Sequence, residues 1–192
     1  DINDKKFITT SERKITEEGL KNCGTRIVPK NSVILTTRAP IGKVAIAAQE
    51  LCTNQGCKSL VINEKINSHF LYYLLSSSNE RLNTLGTGTT FMELGATSLG
   101  NIIIALPPLE EQTTIATLLD ERTAYIDQLI AKQQALSEKL SEKRTALITE
   151  AVCGRLNTNA EKLRDSGVQW LGKVPEHWEV KKFKYLCKII TG

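Results

Sequence analysis

The stretch LPPLEEQTTIATLLDERTAYIDQLIAKQ, residues 106–133, decides how this chain is organised. Pro108 suits the first position of a helix, because that position needs no backbone N–H donor. Glu110 and Glu111 follow in the first turn, where the helix dipole favours negative charge. Apolar residues then recur every three or four positions with no glycine between them, which is the spacing of an amphipathic helix. The stretch therefore predicts a helix that begins abruptly.

The predicted helix is also long. Its apolar spacing continues as far as Gly154, which stands where a C-terminal cap belongs, after Lys143 and Arg144. A helix over residues 109–153 would be roughly 65 Å long at about 1.5 Å per residue. A domain of this size cannot bury the whole of such a helix, so we expect a partner helix. The alternative interpretation is a long helix that lies over its own domain.

The apolar residues of this helix fit the heptad repeat of a coiled coil. Arg122 and Lys143 interrupt one of its two rows, and Gln133 in the other row is typical of a seam that selects register rather than maximal stability. The predicted helix–helix interface consists of Ile115, Leu119, Ile126, Leu129, Gln133, Leu136, Leu140 and Leu147.

The residues before the helix predict a small mixed sheet with one helix beside it. β-Branched runs indicate strands over residues 32–37, 43–48 and 57–63, and the apolar run at 101–109 indicates a fourth strand that ends at the prolines. The apolar spacing after Asn67 or Ser68, either of which is a plausible N-cap, predicts an amphipathic helix. Residues 86–91 are rich in glycine and threonine, which predicts a polar loop.

The residues after the helix change in character. Residues 155–165 are polar and indicate a linker. The segment WEVKKFKYL, residues 178–186, alternates apolar and basic residues, a pattern that predicts a strand. The fold class that follows is α+β: a small mixed-sheet domain, a long coiled-coil-forming helix, and the first strand of a further domain.

Composition and charge limit the possible function classes. The chain has 192 residues and a formal net charge of +4. Residues 1–108 carry 12 basic and 9 acidic groups, residues 109–153 carry 5 and 8, and residues 154–192 carry 8 and 4. The basic excess thus lies on the flanks of an acidic middle, which favours phosphate contacts at the flanks and protein contacts between them, although an ordinary solvated surface explains the same numbers.

The apolar runs and the cysteines indicate where the protein works. No apolar run approaches the roughly 20 residues that cross a membrane. The five cysteines are odd in number and form no CxxC pair, which predicts a reduced, cytoplasmic compartment. Because the chain has no initiator Met and opens on a polar segment, we expect it to begin inside a longer protein.

Catalytic chemistry is not expected. His69 and His177 are the only histidines, and no second pair joins Cys52 and Cys57 to complete a zinc set. The sequence has neither a phosphate-binding GxxxxGK loop nor a GxSxG nucleophile motif. We therefore predict no catalytic residue, no metal and no cofactor.

Polar loops are the remaining candidates for function. Threonine hydroxyls, basic side chains and the N–H groups of glycine-rich loops suit phosphate contacts, and paired amides suit base edges. The candidate DNA-binding residues are Thr37, Arg38, Lys43, Asn54, Gln55, Thr87, Thr89 and Thr90. Each of these loops, taken alone, is equally compatible with an ordinary surface loop.

Taken in order, the motifs of this chain resemble the specificity subunits of type I restriction–modification systems. The motifs are ILTTRAPIGKVAIA, TNQG, GTTFMEL, LPPLEEQ, EKRTALITEAVCGRLN and SGVQWLGKVPEHWEVKKFKYL. The resemblance implies a non-catalytic subunit that recognises double-stranded DNA. It also implies methyltransferase (M) subunits as partners and, through them, the restriction (R) subunit. In that family, two long helices pack antiparallel and fix the separation of two target-recognition domains. A helix of roughly 65 Å would span about 20 base pairs at about 3.4 Å each.

The resemblance implies a domain map. Residues 1–106 correspond to the C-terminal part of a target-recognition domain, 107–154 to the spacer helix, 155–165 to a linker, and 166–192 to the start of a second, truncated recognition domain. With one helix instead of two, the chain is predicted to be a fragment or a half-length subunit that pairs with a second copy. The alternatives are a coiled-coil interaction scaffold, a remnant without specific DNA binding, and, least favoured, a cryptic nuclease or methyltransferase.

Overall fold

The structure is a computed structural model that describes residues 2, 5–88, 92–154, 156 and 162–190. The chain divides into two compact units, residues 1–124 and residues 125–192. A single helix, described below, runs from the first unit into the second.

The first unit contains a four-stranded mixed sheet. Its strands are β1 (Phe7–Ile8), β2 (Val33–Thr36), β3 (Val44–Ala47) and β4 (Cys57–Leu60), in the spatial order β1-β3-β2-β4. β1 pairs with β3 in parallel, and the other two pairings are antiparallel. The central strands β2 and β3 are buried almost throughout, which explains their uninterrupted apolar sequences. The three predicted strands up to residue 63 are confirmed, each slightly shorter than expected; β1 was not predicted.

The described part of the first unit also contains the short helices α1 (Glu17–Lys21), α2 (Ser68–Ser77), α3 (Asn79–Thr84) and α4 (Ala96–Gly100), of which α2 packs against β2 and β3. The Oδ1 atom of Asn67 accepts hydrogen bonds from the N–H groups of His69 and Phe70, at 2.9 and 3.1 Å. The predicted N-cap at Asn67 is therefore confirmed. The core joins both central strands to α2 and α3 and consists of Val33, Leu35, Ile41, Val44, Ile46, Leu71, Leu75, Leu82 and Leu94.

Residues 101–108 do not form the predicted strand. Ile102 packs against the core, but Ile103 is 85% exposed and the segment pairs with no strand of the described sheet. Two causes combine. The helix α4 continues to Gly100 and so occupies the residues directly before the predicted strand. Pro107 and Pro108 lack the N–H groups that pairing with a neighbouring strand requires. The segment is an extended connection into the next helix.

The long helix α5 runs from Leu109 to Val152, 44 residues, so the predicted helix is confirmed. The N–H of Gln112 donates to the carbonyl of Pro108 at 3.0 Å, which places Pro108 just before the first helical residue. The helix ends before Gly154, whose φ of +72° is the left-handed conformation of a C-terminal cap. A Cβ atom at Gly154 would lie 2.5 Å from the ring atoms of Pro175, so only glycine fits there.

The second unit contains a small hairpin beyond the helix. β5 (Leu163–Asp165) pairs antiparallel with β6 (Lys173–Pro175), so the last residues of the predicted linker are a strand. The predicted strand at 178–186 is wrong, because Phe183–Tyr185 form a 3-10 helix. None of the described strands pairs with this segment, and alternation alone does not make a strand without a partner.

Candidate nucleic-acid interface

The sheet register brings the candidate loops to one end of the sheet. Thr36, the last residue of β2, faces Cys57, the first residue of β4. Near the same end, Leu35 faces Val44 at the start of β3. The loop after β2, the start of β3 and the loop before β4 therefore meet, although they are separated in sequence. We call this end of the sheet the loop face; it comprises residues 38–43, 53–56, Thr87 and Glu93.

Arg38 lies at the centre of the loop face. The N–H groups of Thr37 and Arg38 both donate to the carbonyl of Gly56, at 2.8 and 3.4 Å. The Cδ atom of Arg38 lies 3.9 Å from the position that a Cβ atom on Gly56 would occupy. The exposed side chain of Arg38 therefore runs beside the 53–56 loop. The sequence-predicted residues Arg38, Asn54 and Gln55 are thus brought together.

The two amides of the 53–56 loop have different roles. The Oδ1 atom of Asn54 accepts the N–H of Gly56 at 3.0 Å, which stabilises the turn that leads into β4. This bond uses part of the acceptor capacity that a paired contact with a base needs. Gln55 is exposed at the tip of the same loop, which makes Gln55 the better candidate of the two for an outside contact.

Glu93 completes the loop face and was not predicted. Its Oε2 atom accepts from Nε of Arg38 at 2.9 Å, and its Oε1 atom lies 3.7 Å from Nζ of Lys58. The hydrogen bond from Arg38 is the main cause that lowers the pKa of Glu93 below its ordinary value. The carboxylate therefore stays ionised beside the two basic side chains.

The other predicted site residues lie as follows. Lys43 and Thr87 are exposed at the loop face, and the N–H of Thr87 donates to the carbonyl of Glu93 at 3.0 Å. Thr37 is fully buried and its hydroxyl donates to the carbonyl of Gly56, so it supports the loop from inside rather than facing solvent. Thr89 and Thr90 lie outside the described residues.

Two further basic residues belong near this face. Arg26 lines an open cleft together with Asn54 and Gln55, and the hydroxyl of Thr25 donates to the carbonyl of Thr53 at 2.9 Å. Lys58 stands in β4 beside Glu93. Neither Arg26 nor Lys58 carries a local sequence signal, because only the tertiary fold brings them to the loops.

A buried amide attaches α5 to the first unit. Gln112 is fully buried; its Oε1 atom accepts from the N–H of Asn67 at 2.9 Å, and its Nε2 atom donates to the carbonyls of Lys65 and Pro107 at 3.0 and 2.8 Å. The last residue of the LPPLEEQ motif thus joins the start of the helix to the loop before α2.

A second polar cluster lies two turns further along α5. The carboxylate of Asp120 accepts from Lys6, from Nδ1 of His69 at 2.9 Å and from the hydroxyl of Tyr73. Burial by itself raises the pKa of Asp120, but the three hydrogen bonds outweigh it and lower the pKa to about 2. Burial and the bond to Asp120 raise the pKa of Tyr73 to about 12. This cluster ties α5 to α2 and to the segment before β1.

Beyond this cluster, α5 is exposed. Residues 121–152 are exposed all round, although the helix carries an apolar row. Ile115 and Leu119 of the predicted interface are half-buried, whereas its later apolar members, Ile126, Leu129, Leu136, Leu140 and Leu147, are between 44% and 57% exposed. The later part of the apolar row of α5 is therefore open to solvent.

These features define a class of protein. A small mixed sheet presents basic and polar loops at one end, and a long helix carries a row of large exposed apolar side chains, so the class is an α+β domain followed by a long amphipathic helix. In the described part of the chain, no helix combines the length and the apolar content that a membrane span requires.

Comparison with known proteins gives the family. Residues 2–138 match the family described as the type I restriction modification DNA specificity domain. The chain belongs to this family, which agrees with the resemblance of its motifs.

Individual relatives agree with this membership. The MjaIX type I restriction enzyme specificity subunit of Methanocaldococcus jannaschii is 35% identical over 189 residues, which are 97% of this chain and 42% of that protein. The EcoBI specificity subunit of Escherichia coli is 29% identical over 67% of this chain and 28% of its own length. The chain thus spans less than half the length of these relatives.

Solved structures show the same fold. A structure from work on complex assembly and conformational transition of the type I restriction–modification system superposes with a TM-score of 0.60 at 26% identity, over 66% of this chain and 31% of the other. The HsdS subunit of Thermoanaerobacter tengcongensis gives 0.52 at 26% identity, over 67% and 31%. The predicted fold class, a small mixed sheet followed by a long helix and further strands, is confirmed.

Proposed function

We propose that this chain recognises one part of a bipartite double-stranded DNA site through its loop face. The observation that carries the proposal is the convergence of Arg38, Lys43 and Gln55 at one end of the sheet, in a chain that belongs to a DNA specificity family. The chain performs no catalysis in this role; its part is to place partner enzymes on the site.

The proposed partners follow from the family and from the exposed helix. Methyltransferase subunits bind through the arm formed by α5, and the restriction subunit joins through them. The apolar row of α5 pairs with a second long helix, supplied by a second copy of this chain in a homodimer. The proposed domain map keeps residues 1–106 as the C-terminal part of a recognition domain, 107–154 as the spacer helix and 166–192 as the start of a second domain, to which β5 adds residues 163–165. The working compartment is the cytoplasm, where the five free cysteines stay reduced.

The experiment is DNA binding by the full chain, with and without a methyltransferase subunit. Duplexes with a randomised segment are selected on the protein and sequenced, and the affinity for an enriched duplex is measured across a range of salt concentrations. We expect enrichment of a defined sequence and an affinity that falls with salt, because basic side chains displace counterions from phosphates.

Substitution of the loop face tests where binding occurs. Arg38→Ala and Lys43→Ala should each weaken binding, whereas Lys132→Ala, which removes the same charge from the exposed part of α5, should leave DNA binding nearly unchanged. Unaltered affinity in both loop variants would show that this end of the sheet faces away from DNA. Selection of no sequence, with and without the methyltransferase subunit, would support a protein-interaction scaffold instead.

A further inference from the structure

Glu93 places a negative charge on the basic loop face that we propose for DNA binding, where it would repel phosphate. A surface that binds phosphate usually excludes carboxylates, because like charges repel. Glu93 nevertheless contacts the side chain of Arg38 directly at 2.9 Å and lies within 3.7 Å of Lys58. Its presence there calls for a role other than contact with DNA.

The backbone of Glu93 is held in place on two sides. Its N–H donates to the carbonyl of Thr87, and its carbonyl accepts from the N–H of Thr87, each at 3.0 Å. The next residue, Leu94, is fully buried, and its N–H donates to the carbonyl of Thr37 at 2.8 Å. The backbone from which the Glu93 side chain projects is therefore fixed by the bonds to Thr87 and by the buried Leu94.

The contact with Arg38 uses one particular edge of the guanidinium group. Glu93 accepts from Nε, and the two terminal nitrogens lie in the same plane as Nε. A guanidinium that is held at Nε has its plane fixed and directs its terminal N–H groups towards a second pair of acceptors. Such paired acceptors are the O6 and N7 atoms of guanine or two oxygens of one phosphate.

We infer that Glu93 is a positioning residue, which orients the guanidinium of Arg38 for a two-acceptor contact with DNA. The inference rests on the proposed function and adds to it the residue that prepares Arg38 for binding. Ordering a long side chain before the encounter removes a cost that binding would otherwise carry. Because the pKa of Glu93 is lowered, its carboxylate holds Arg38 throughout the neutral pH range.

The test asks whether removing the carboxylate of Glu93 raises or lowers the affinity for DNA. Removing a carboxylate from a DNA-binding surface should by itself tighten binding, because one repulsion disappears. If Glu93 orients Arg38, Glu93→Ala should instead weaken binding of the duplex that the wild-type full chain enriches, by roughly tenfold. In the Arg38→Ala background the same Glu93→Ala change should tighten binding, because no guanidinium remains to be oriented.

Two further variants sharpen the comparison. Glu93→Gln retains an oxygen that accepts from Nε and should restore most of the affinity lost in Glu93→Ala. Glu64→Ala removes an exposed carboxylate outside the loop face and should not weaken binding in either background. Because Glu93 is a partly exposed surface residue, these variants should fold, and circular dichroism checks that they do.

The base preference distinguishes the two kinds of acceptor. If Arg38 contacts guanine, Glu93→Ala and Arg38→Ala lose the preference for guanine at the same position of the enriched sequence. If Arg38 contacts phosphate, both variants weaken all sequences alike and make the salt dependence shallower. Either outcome supports the positioning role.

Tighter binding by Glu93→Ala in the wild-type background, or equal effects in both backgrounds, would overturn the inference alone. Failure of the wild-type chain to bind DNA, with and without the methyltransferase subunit, would overturn the proposed function together with it.

Discussion

Gln112 shows how much one residue contributes to the attachment of the long helix. It is fully buried and its amide bonds one backbone N–H and two backbone carbonyls. Both ends of the amide are needed, because one end must accept and the other must donate. A glutamate carboxylate of the same shape can accept from the N–H of Asn67 but has no donor for the two carbonyls.

We therefore expect Gln112→Glu to lower the free energy of unfolding of the first unit by about 3 kcal/mol. Urea-induced unfolding followed by circular dichroism measures the loss. Gln128→Glu makes the same chemical change at an exposed position of α5 and should shift the free energy by less than about 0.5 kcal/mol. Equal stabilities of the two variants would mean that the Gln112 amide does not join helix and domain.

At the same scale, the sequence indicated which loop side chains are exposed but not which residues surround them. Arg38, Lys43 and Gln55 are exposed as expected, because polar residues in turn-forming loops face solvent. Thr37 is polar too, yet the core encloses it. Arg38 and Glu93 are 55 positions apart in the sequence, so a local sequence pattern cannot predict that they pair.

Among the elements, α5 depends on the Asp120 cluster for its second attachment. The pKa of Asp120 is about 2 in the folded chain, below its ordinary value of 3.8. The ionised carboxylate therefore stabilises the fold fully above about pH 4, and this stabilisation is lost as the pH falls through about 2.

Comparison of the wild type with Asp120→Asn over this range tests the cluster. We expect the wild type to unfold at a higher denaturant concentration than the variant near neutral pH, and the difference to shrink as the pH falls towards 2. Asp127→Asn, at an exposed position about two turns further along α5, serves as the control and should follow the wild type. A constant difference across the range would show that the charge of Asp120 is not what holds the helix.

The apolar row of α5 makes a separate prediction about association. Leu129→Asp or Leu136→Asp places a charge in the proposed seam and should abolish dimerisation, because an unpaired buried charge costs several kcal/mol. Ala131→Asp puts the same charge on the opposite face of the helix and should leave the dimer intact. Sedimentation analysis gives the mass of each variant. Dimers of Leu136→Asp with wild-type stability would rule out this face as the contact between copies.

Element prediction succeeded for α5 and for the strands β2 to β4, whose β-branched sequences match their structure, and failed where the local pattern is absent or has no partner strand. The helix α5 carries its own hydrogen bonds and caps, so its bounds were predicted to within a few residues. β1 has only two residues and exists because β3 lies beside it, which no propensity indicates. The opposite error occurred at 178–186, where alternation predicted a strand and the structure forms a 3-10 helix.

For the whole molecule, pairing through α5 should couple stability to concentration. A dimer dissociates as it unfolds, so its thermal midpoint rises with protein concentration, whereas a monomer has a constant midpoint. We expect the wild-type midpoint to rise and that of Leu136→Asp to stay constant over the same concentration series. Parallel behaviour of the two proteins would place the apolar row outside any contact between copies.

The junction at Gln112 also has an evolutionary consequence. Its partners are the main-chain carbonyls of Lys65 and Pro107, which every amino acid supplies, and the main-chain N–H of Asn67, which every amino acid except proline supplies. A joint built on such atoms depends little on the side chains around it. If the loop face reads DNA as proposed, its side chains can therefore diverge while the helix keeps the same attachment, so that a lineage could change the sequence it reads without altering this joint.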